Sequence, residues 1–179
     1  MKLKKVVFPA AVIFLTAVIL FAVSTGLSSL EQKNEAKKLD ILLHTLLPGS
    51  QEFTEEAYTG EDVNIQKVYK AENGFVIQTC TQGYVDPITM LVGVSSKGTV
   101  TGVVIDKMAE TPGLGASALN DVEFLAQFLN TSGEAGVGTT VDAISGATVT
   151  SKAVTRSVNS AVAYVTGADA SSGATSWGG

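Results

Sequence analysis

The stretch from Val6 to Val23 is apolar throughout except for Thr16, whose hydroxyl a helix can satisfy internally. At about 1.5 Å per residue, a helix of this length comes close to spanning the ~30 Å hydrocarbon core of a bilayer. Pro9 falls in the first turns, where a missing N–H does little harm. The run is preceded by Met1-Lys2-Leu3-Lys4-Lys5, and positive charge on that flank predicts a cytoplasmic start with the remainder outside. An uncleaved anchor is expected rather than a signal peptide. The run is long for a signal segment, and Ala22-Val23-Ser24 is a weak small-residue cleavage site. Cys80 is the only cysteine, so no lipidated cysteine follows the run. The expected placement is a single pass through the cell (inner) membrane.

The 179 residues leave enough chain behind the anchor for one ordinary domain. Lys2, Lys4 and Lys5 account for three of the 12 basic residues, and all 17 acidic residues follow Leu30. The outer part therefore carries nine bases against 17 acids, a net of −8. That balance argues against nucleic acid and against anionic lipid surfaces as partners, since both need lysine and arginine clusters. A lone cysteine excludes an intrachain disulfide and a cysteine-ligated iron–sulfur cluster. His44 is the only histidine, which removes a histidine-rich zinc site and a Ser-His-Asp triad centred elsewhere. Cys80 lies in a strand-like stretch and reads as a small packing residue. Redox chemistry here would have to come from a cofactor held by hydroxyls, backbone and carboxylates.

Behind the anchor, Glu31 to Leu47 reads as a helix. Leu39, Leu42, Leu43, Leu46 and Leu47 repeat at helical spacing, and Pro48-Gly49 ends it. Val63 to Tyr69 and Phe75 to Thr81 read as strands around a hairpin at Glu72-Asn73-Gly74. Met90 to Val94 and Thr99 to Ile105 read as a second hairpin around Ser96-Lys97-Gly98. Asp121 to Leu129 reads as a short helix and Ser132 to Thr139 as a glycine-rich loop. Ser151 to Val165 reads as an amphipathic helix with Val154, Val158, Ala161, Val162 and Val165 on one face. Paired strands followed by segregated helices predict an α+β fold with a twisted antiparallel sheet and flanking helices. The expected divisions are 1–30 for the cytoplasmic start and anchor and 31–60 for a membrane-proximal helix and linker. The folded domain is expected at 61–167, with a flexible tail at 168–179.

Two loops carry candidate chemistry. Asp142-Ala143-Ile144-Ser145-Gly146-Ala147-Thr148-Val149-Thr150-Ser151 opens the last helix. Gly146 and Ala147 allow close approach to the backbone, and Ser145, Thr148, Thr150 and Ser151 supply hydroxyls. The helix start adds unpaired N–H groups and the positive end of its dipole, which together make a phosphate cradle. On local pattern alone a Ser/Thr cap with a glycine turn is the better reading. Glu110-Thr111-Pro112-Gly113-Leu114-Gly115 is a tight loop with exposed amides that could lie against a flat ring. Alone it is equally a strand-to-helix connector.

Together, Asp142–Thr148 and Glu110–Gly115 resemble the FMN-binding domain family. That family includes the G subunit of the Rnf electron-transport complex and the C subunit of the sodium-translocating NADH:quinone oxidoreductase. Leu46-Leu47-Pro48-Gly49, Gly83-Tyr84, Pro87-Ile88 and the N-terminal anchor agree with it, so the resemblance covers nearly the whole chain except the tail. The short chain looks more like the Rnf G subunit. The resemblance implies that 61–167 is an FMN-binding domain and that Thr148 takes FMN covalently, as a phosphoester. Ser145, Gly146, Ala147, Thr150 and Ser151 then surround the attachment. Glu110, Thr111, Pro112, Gly113, Leu114 and Gly115 lie beside the isoalloxazine ring. Asp142 belongs to the signal read by a flavin transferase. The implied partners are the other membrane subunits of an Rnf-type complex, which couples ferredoxin and NAD to ion movement, together with that transferase. Where the family often has a histidine before the glutamate, this chain has Lys107-Met108-Ala109. That leaves open which groups tune the flavin on that side.

A second copy of the short signal, Asp169-Ala170-Ser171-Ser172-Gly173-Ala174-Thr175, stands in the tail. Only Ser176-Trp177-Gly178-Gly179 follows it, so no helix start would receive the phosphate, and Thr148 is the expected site. Other readings are the sodium-pump C subunit, a non-redox membrane-anchored interaction module, and a protein that binds flavin without a covalent bond.

Overall fold

A computed structural model describes residue 16 and residues 33–108, 121–133 and 135–168. The chain divides into two compact units, Met1–Ile41 and Leu42–Gly179. Residues 33–46 are helical (α1), in agreement with the leucine spacing. The apolar run Val6–Val23 lies outside the described residues apart from Thr16. Among the described residues, no helix is long and apolar enough to cross a membrane.

The second unit is built on a five-stranded sheet: β1 (Thr54–Glu56), β2 (Ile65–Ala71), β3 (Gly74–Gln82), β4 (Pro87–Ser95) and β5 (Val100–Lys107). The strands lie in chain order and every neighbour is antiparallel. Both expected hairpins are present. Ala71 pairs with Gly74 across the first turn. In the second, the Gly98 N–H donates to the Ser95 carbonyl at 2.9 Å, and Gly98 takes a φ of +81° that favours glycine. β1 was not expected, because Thr54-Glu55-Glu56 is short and polar and carries no apolar alternation. It is held at the edge by its ladder to β2 and by exposed ion pairs from Lys67 to Glu55 and Lys70 to Glu56. Such pairs stabilise by about 0.2–1 kcal/mol each.

β4 is buried on both faces because helical segments cover both sides of the sheet. On one face Ile88, Met90, Val92 and Val94 join Ile77, Val68 and the last helix in the main core. Strand alternation turns Leu91 and Gly93 the other way. There the end of α1 packs: Leu46 lies over Gly93 and Gly102, and the Thr101 hydroxyl donates to the Leu46 carbonyl at 2.5 Å. Leu43, Leu46 and Leu47 are buried. After β5 come α2 (Val122–Ala126), capped by Asp121 Oδ1 accepting from the Phe124 N–H at 2.9 Å, and α3 (Thr148–Thr166). Phe124 and Phe128 pack edge to face beneath α2.

α3 starts three residues before the expected Ser151, because Gly146 takes a φ of +74° and turns the chain directly into the helix. Its inner surface is also broader and more polar than the expected stripe. Val154, Val158, Ala161 and Val162 are buried, Val165 only partly, and Thr150, Ser151, Thr155, Ser157, Asn159 and Ser160 are buried with them. Small hydroxyls suit this position because β3 answers them. The Thr81 hydroxyl donates to the Ala153 carbonyl at 3.0 Å and lies 2.8 Å from Ser157 Oγ. Near the other end of the helix, the Tyr164 ring meets Phe75 edge to face at 5.8 Å. α3 therefore runs antiparallel to β3, with its N-terminus beyond the Thr81 end of the sheet.

Candidate functional site

The segment ahead of α3 is fastened at both ends by side chains from elsewhere. At its start, the Asp142 N–H donates to Gln127 Oε1 at 2.7 Å, and Gln127 Nε2 donates back to the Asp142 carbonyl at 3.3 Å. At its end, the Ile144 N–H donates to Ser151 Oγ at 3.0 Å, and the Ser151 hydroxyl donates to the Ala147 carbonyl at 3.0 Å. Between them, the Ala147 N–H donates to the Ile144 carbonyl at 3.0 Å and closes a turn with Ser145-Gly146 at its tip. Gly146 sits where a positive φ is required. The upstream loop is tied down in the same manner. Buried Asn159 accepts from the Ala135 N–H and donates to the Ala135 carbonyl, both at 2.9 Å.

This frame sorts the hydroxyls expected to line the cradle. Ser145 and Thr148 are exposed, as are Gly146 and Asp142, whereas Thr150 and Ser151 are buried. Ser151 spends its hydroxyl on bracing the turn, so its part is positional. Thr148 is the first residue of a 19-residue helix, and its N-cap is Ala147, which has no side-chain cap bond. The Ser/Thr cap favoured by local pattern is therefore not formed. The first turn holds no acidic residue either. A helix start with no side-chain cap bond and no acidic residue in its first turn is suited to an anion. Lys152, four residues on, lies on the Thr148 side of the helix, where long side chains lean towards the N-terminus. A phosphate group fits this exposed, uncapped, glycine-turned position.

Topology gathers further elements at the same end. From the contact between Thr81 and Ala153, Thr148 lies roughly 7.5 Å further along the helix. The turn after β3 begins two residues beyond Thr81 and is closed by the Gly83 N–H donating to the Asp86 carbonyl at 3.1 Å. β5 leaves the sheet at Lys107, paired with Thr89, which is itself paired with Cys80. The chain thus departs towards Glu110 from the end that holds Thr148. Glu110, Thr111, Pro112, Gly113, Leu114 and Gly115 lie outside the described residues, as do Asp169 and Thr175. Gln127 and Asn159 are positioning residues that sequence reasoning missed. Each pairs with backbone many positions away, and no periodicity or motif marks it.

Residues 83–163 match the FMN-binding domain family. The matched region takes in the turn at Gly83, the Glu110–Gly115 segment and the turn ahead of α3. The chain therefore carries a flavin-binding domain, with FMN as its cofactor. Over 177 residues the chain is 32% identical to the G subunit of the ion-translocating oxidoreductase complex of Methanosarcina acetivorans, covering 86% of this chain and 93% of that protein. It is 40% identical over 103 residues to the G subunit of the Na(+)-translocating ferredoxin:NAD(+) oxidoreductase complex of Acetobacterium woodii. That match covers 50% of this chain and 47% of that protein. It is 37% identical over 110 residues to the G subunit of the proton-translocating ferredoxin:NAD(+) oxidoreductase complex of Clostridium ljungdahlii, covering 55% and 59%. The chain belongs to this family of G subunits of ion-translocating oxidoreductase complexes.

Proposed function

We propose that this chain is the electron-carrying subunit of a membrane-bound, Rnf-type ferredoxin:NAD oxidoreductase complex that moves ions, with FMN joined to Thr148 by a phosphoester. The observation that supports the attachment most directly is the exposed Thr148 hydroxyl at the uncapped start of α3. Ser145 and Gly146 leave room around it, the helix dipole and Lys152 oppose the phosphate charge, and Ser151 and Gln127 hold the segment in place. The bound flavin supplies the electron chemistry, and the protein supplies its position and surroundings. No complete reaction is expected of this chain alone.

A threonine hydroxyl without a neighbouring base is a poor nucleophile. The single histidine, His44, packs against Phe53 after α1. A separate flavin transferase is therefore the expected agent. Transfer from FAD forms the bond from Thr148 Oγ to phosphorus, breaks the phosphoanhydride bond, and releases AMP and a proton. Asp142, exposed and fixed by its backbone, is the recognition residue. In the same reading Val6–Val23 anchors the chain once in the cell membrane, with Lys2, Lys4 and Lys5 on the cytoplasmic side and the FMN domain outside. Glu110–Gly115 lies beside the ring, and the other membrane subunits of the complex are the partners.

The test is mass spectrometry of the full chain co-expressed with a flavin transferase. One added FMN is expected in the wild type and in Thr175→Ala, and none in Thr148→Ala. Unmodified wild-type protein, or modification that persists in Thr148→Ala, would overturn the assignment.

A further inference from the structure

We infer that Tyr84, at the tip of the turn between β3 and β4, is a positioning residue that contacts the isoalloxazine ring of the FMN carried by Thr148. The inference rests on the Thr148 attachment and extends it to the far end of the cofactor. Tyr84 and Val85 are the two central residues of the turn closed by Gly83 and Asp86. Tight turns favour glycine, proline, asparagine, aspartate and serine at such positions. Here both are apolar and both are turned to solvent, with Tyr84 70% exposed and Val85 51%. Among the described residues little of the phenol ring is covered, so its face is open to a ligand.

Geometry selects the ligand. α3 packs across β3 and β4 and runs antiparallel to β3, with Thr81 held to Ala153 and Ser157. Gln82, the last residue of β3, and Gly83 in the turn carry the chain from Thr81 to Tyr84, at most about 10 Å. Five helix residues lead back from Ala153 to Thr148, roughly 7.5 Å in the same direction. The two therefore stand at similar heights above the same end of the sheet. Val149, beside the attachment residue, is exposed at 43% and adds to the apolar surface there. From Thr148, the phosphate and five-carbon ribityl chain lead to a flat, largely apolar ring that must rest on something. An exposed tyrosine offers an aromatic face, and offset or edge-to-face contact is the favoured arrangement for such a pair.

The experiment uses the full chain loaded with FMN by co-expression with a flavin transferase. Wild type, Tyr84→Ala, Tyr84→Phe and Thr148→Ala are compared by mass, circular dichroism and flavin fluorescence lifetime. Mass reports the attachment: FMN present in the first three chains and absent in Thr148→Ala. The lifetime reports the contact, because a phenol against the ring quenches flavin emission. Tyr84→Ala is expected to keep its FMN and lengthen the mean lifetime severalfold. Tyr84→Phe is expected to lengthen it while keeping the ring's rotation slow in fluorescence anisotropy. Loaded Tyr84→Ala with the wild-type lifetime and anisotropy would overturn the contact while leaving the attachment intact. Loss of FMN from folded Tyr84→Ala but not Tyr84→Phe would also overturn it, assigning the tyrosine to transferase docking. A wild-type chain without FMN on Thr148 would remove both readings.

Discussion

Gln127 and Asp142 hold each other twice. The side-chain amide of Gln127 accepts from the Asp142 N–H at 2.7 Å and donates to the Asp142 carbonyl at 3.3 Å. It thus treats the start of the segment ahead of α3 as an adjacent strand would. Because the bonds are to backbone, the Asp142 carboxylate stays exposed on a fixed platform. Gln127→Ala is expected to slow FMN incorporation severalfold and to lower stability by about 1 kcal/mol, the scale of exposed hydrogen bonds. A time course with transferase and FAD, beside a urea titration, checks both. Incorporation at the wild-type rate would show that the transferase reads Asp142 in any conformation.

Ser151 braces the turn ahead of α3 with its hydroxyl, whereas Thr148 is exposed and is the proposed attachment residue. Ser151 is buried and its hydroxyl satisfies the Ile144 N–H, so Ser151→Ala leaves that donor without its partner. The expected cost is about 1–3 kcal/mol, together with slower FMN incorporation. Thr148→Ala removes an exposed hydroxyl and is expected to leave stability within about 0.5 kcal/mol while abolishing incorporation. Denaturant midpoints of the unloaded chains distinguish the two. Equal destabilisation by both variants would contradict the division of roles.

Gly93 and Gly102 pair across β4 and β5 where the end of α1 lies on the sheet. A methyl group on Gly93 would run into the carbonyl oxygen of Leu46, which is backbone and cannot rotate away. Gly93→Ala is therefore expected to destabilise by at least about 1–3 kcal/mol. A urea midpoint equal to the wild type would mean that α1 shifts freely over this face.

The hairpins and helices were readable from the sequence because local rules decide them. Alternation in Phe75–Thr81, glycine at Gly98 and the leucine spacing before Pro48 each act within a few residues. β1 was not readable, because Thr54–Glu56 is a strand only through its partner β2. The start of α3 was missed by three residues, because Gly146 and the Ser151 brace, rather than apolar periodicity, set it. The turn ahead of α3 was legible as a candidate site from Ser145-Gly146-Ala147-Thr148 together with Glu110–Gly115. Its supports were not. Gln127 acts on backbone 15 positions away and Asn159 on backbone 24 positions away. Which hydroxyls face solvent was also hidden, since Thr148 and Ser151 differ only by their place on the helix.

The sheet end remote from Thr148 holds an aromatic cluster, in which Tyr164 meets Tyr58 and Phe75 edge to face. Burial, reinforced by the charge of Glu56, raises the Tyr164 phenol above its usual value, and burial raises Tyr69 likewise. A group whose pKa is raised on folding keeps its proton longer in the native state than in the unfolded chain. Its contribution to stability is complete below the unfolded value of about 10 and is lost as pH rises through the folded value. Lys67, raised first by its hydrogen bond with Glu55, acts in the same direction, but it is exposed and contributes little. Urea midpoints should therefore fall as pH rises past about 10. Tyr164→Phe keeps both ring contacts and removes one titrating phenol, so its midpoint should fall less steeply, with the remainder due mainly to Tyr69. Identical alkaline slopes in the two chains would show that the Tyr164 phenol ionises as freely in the native state as in the unfolded one.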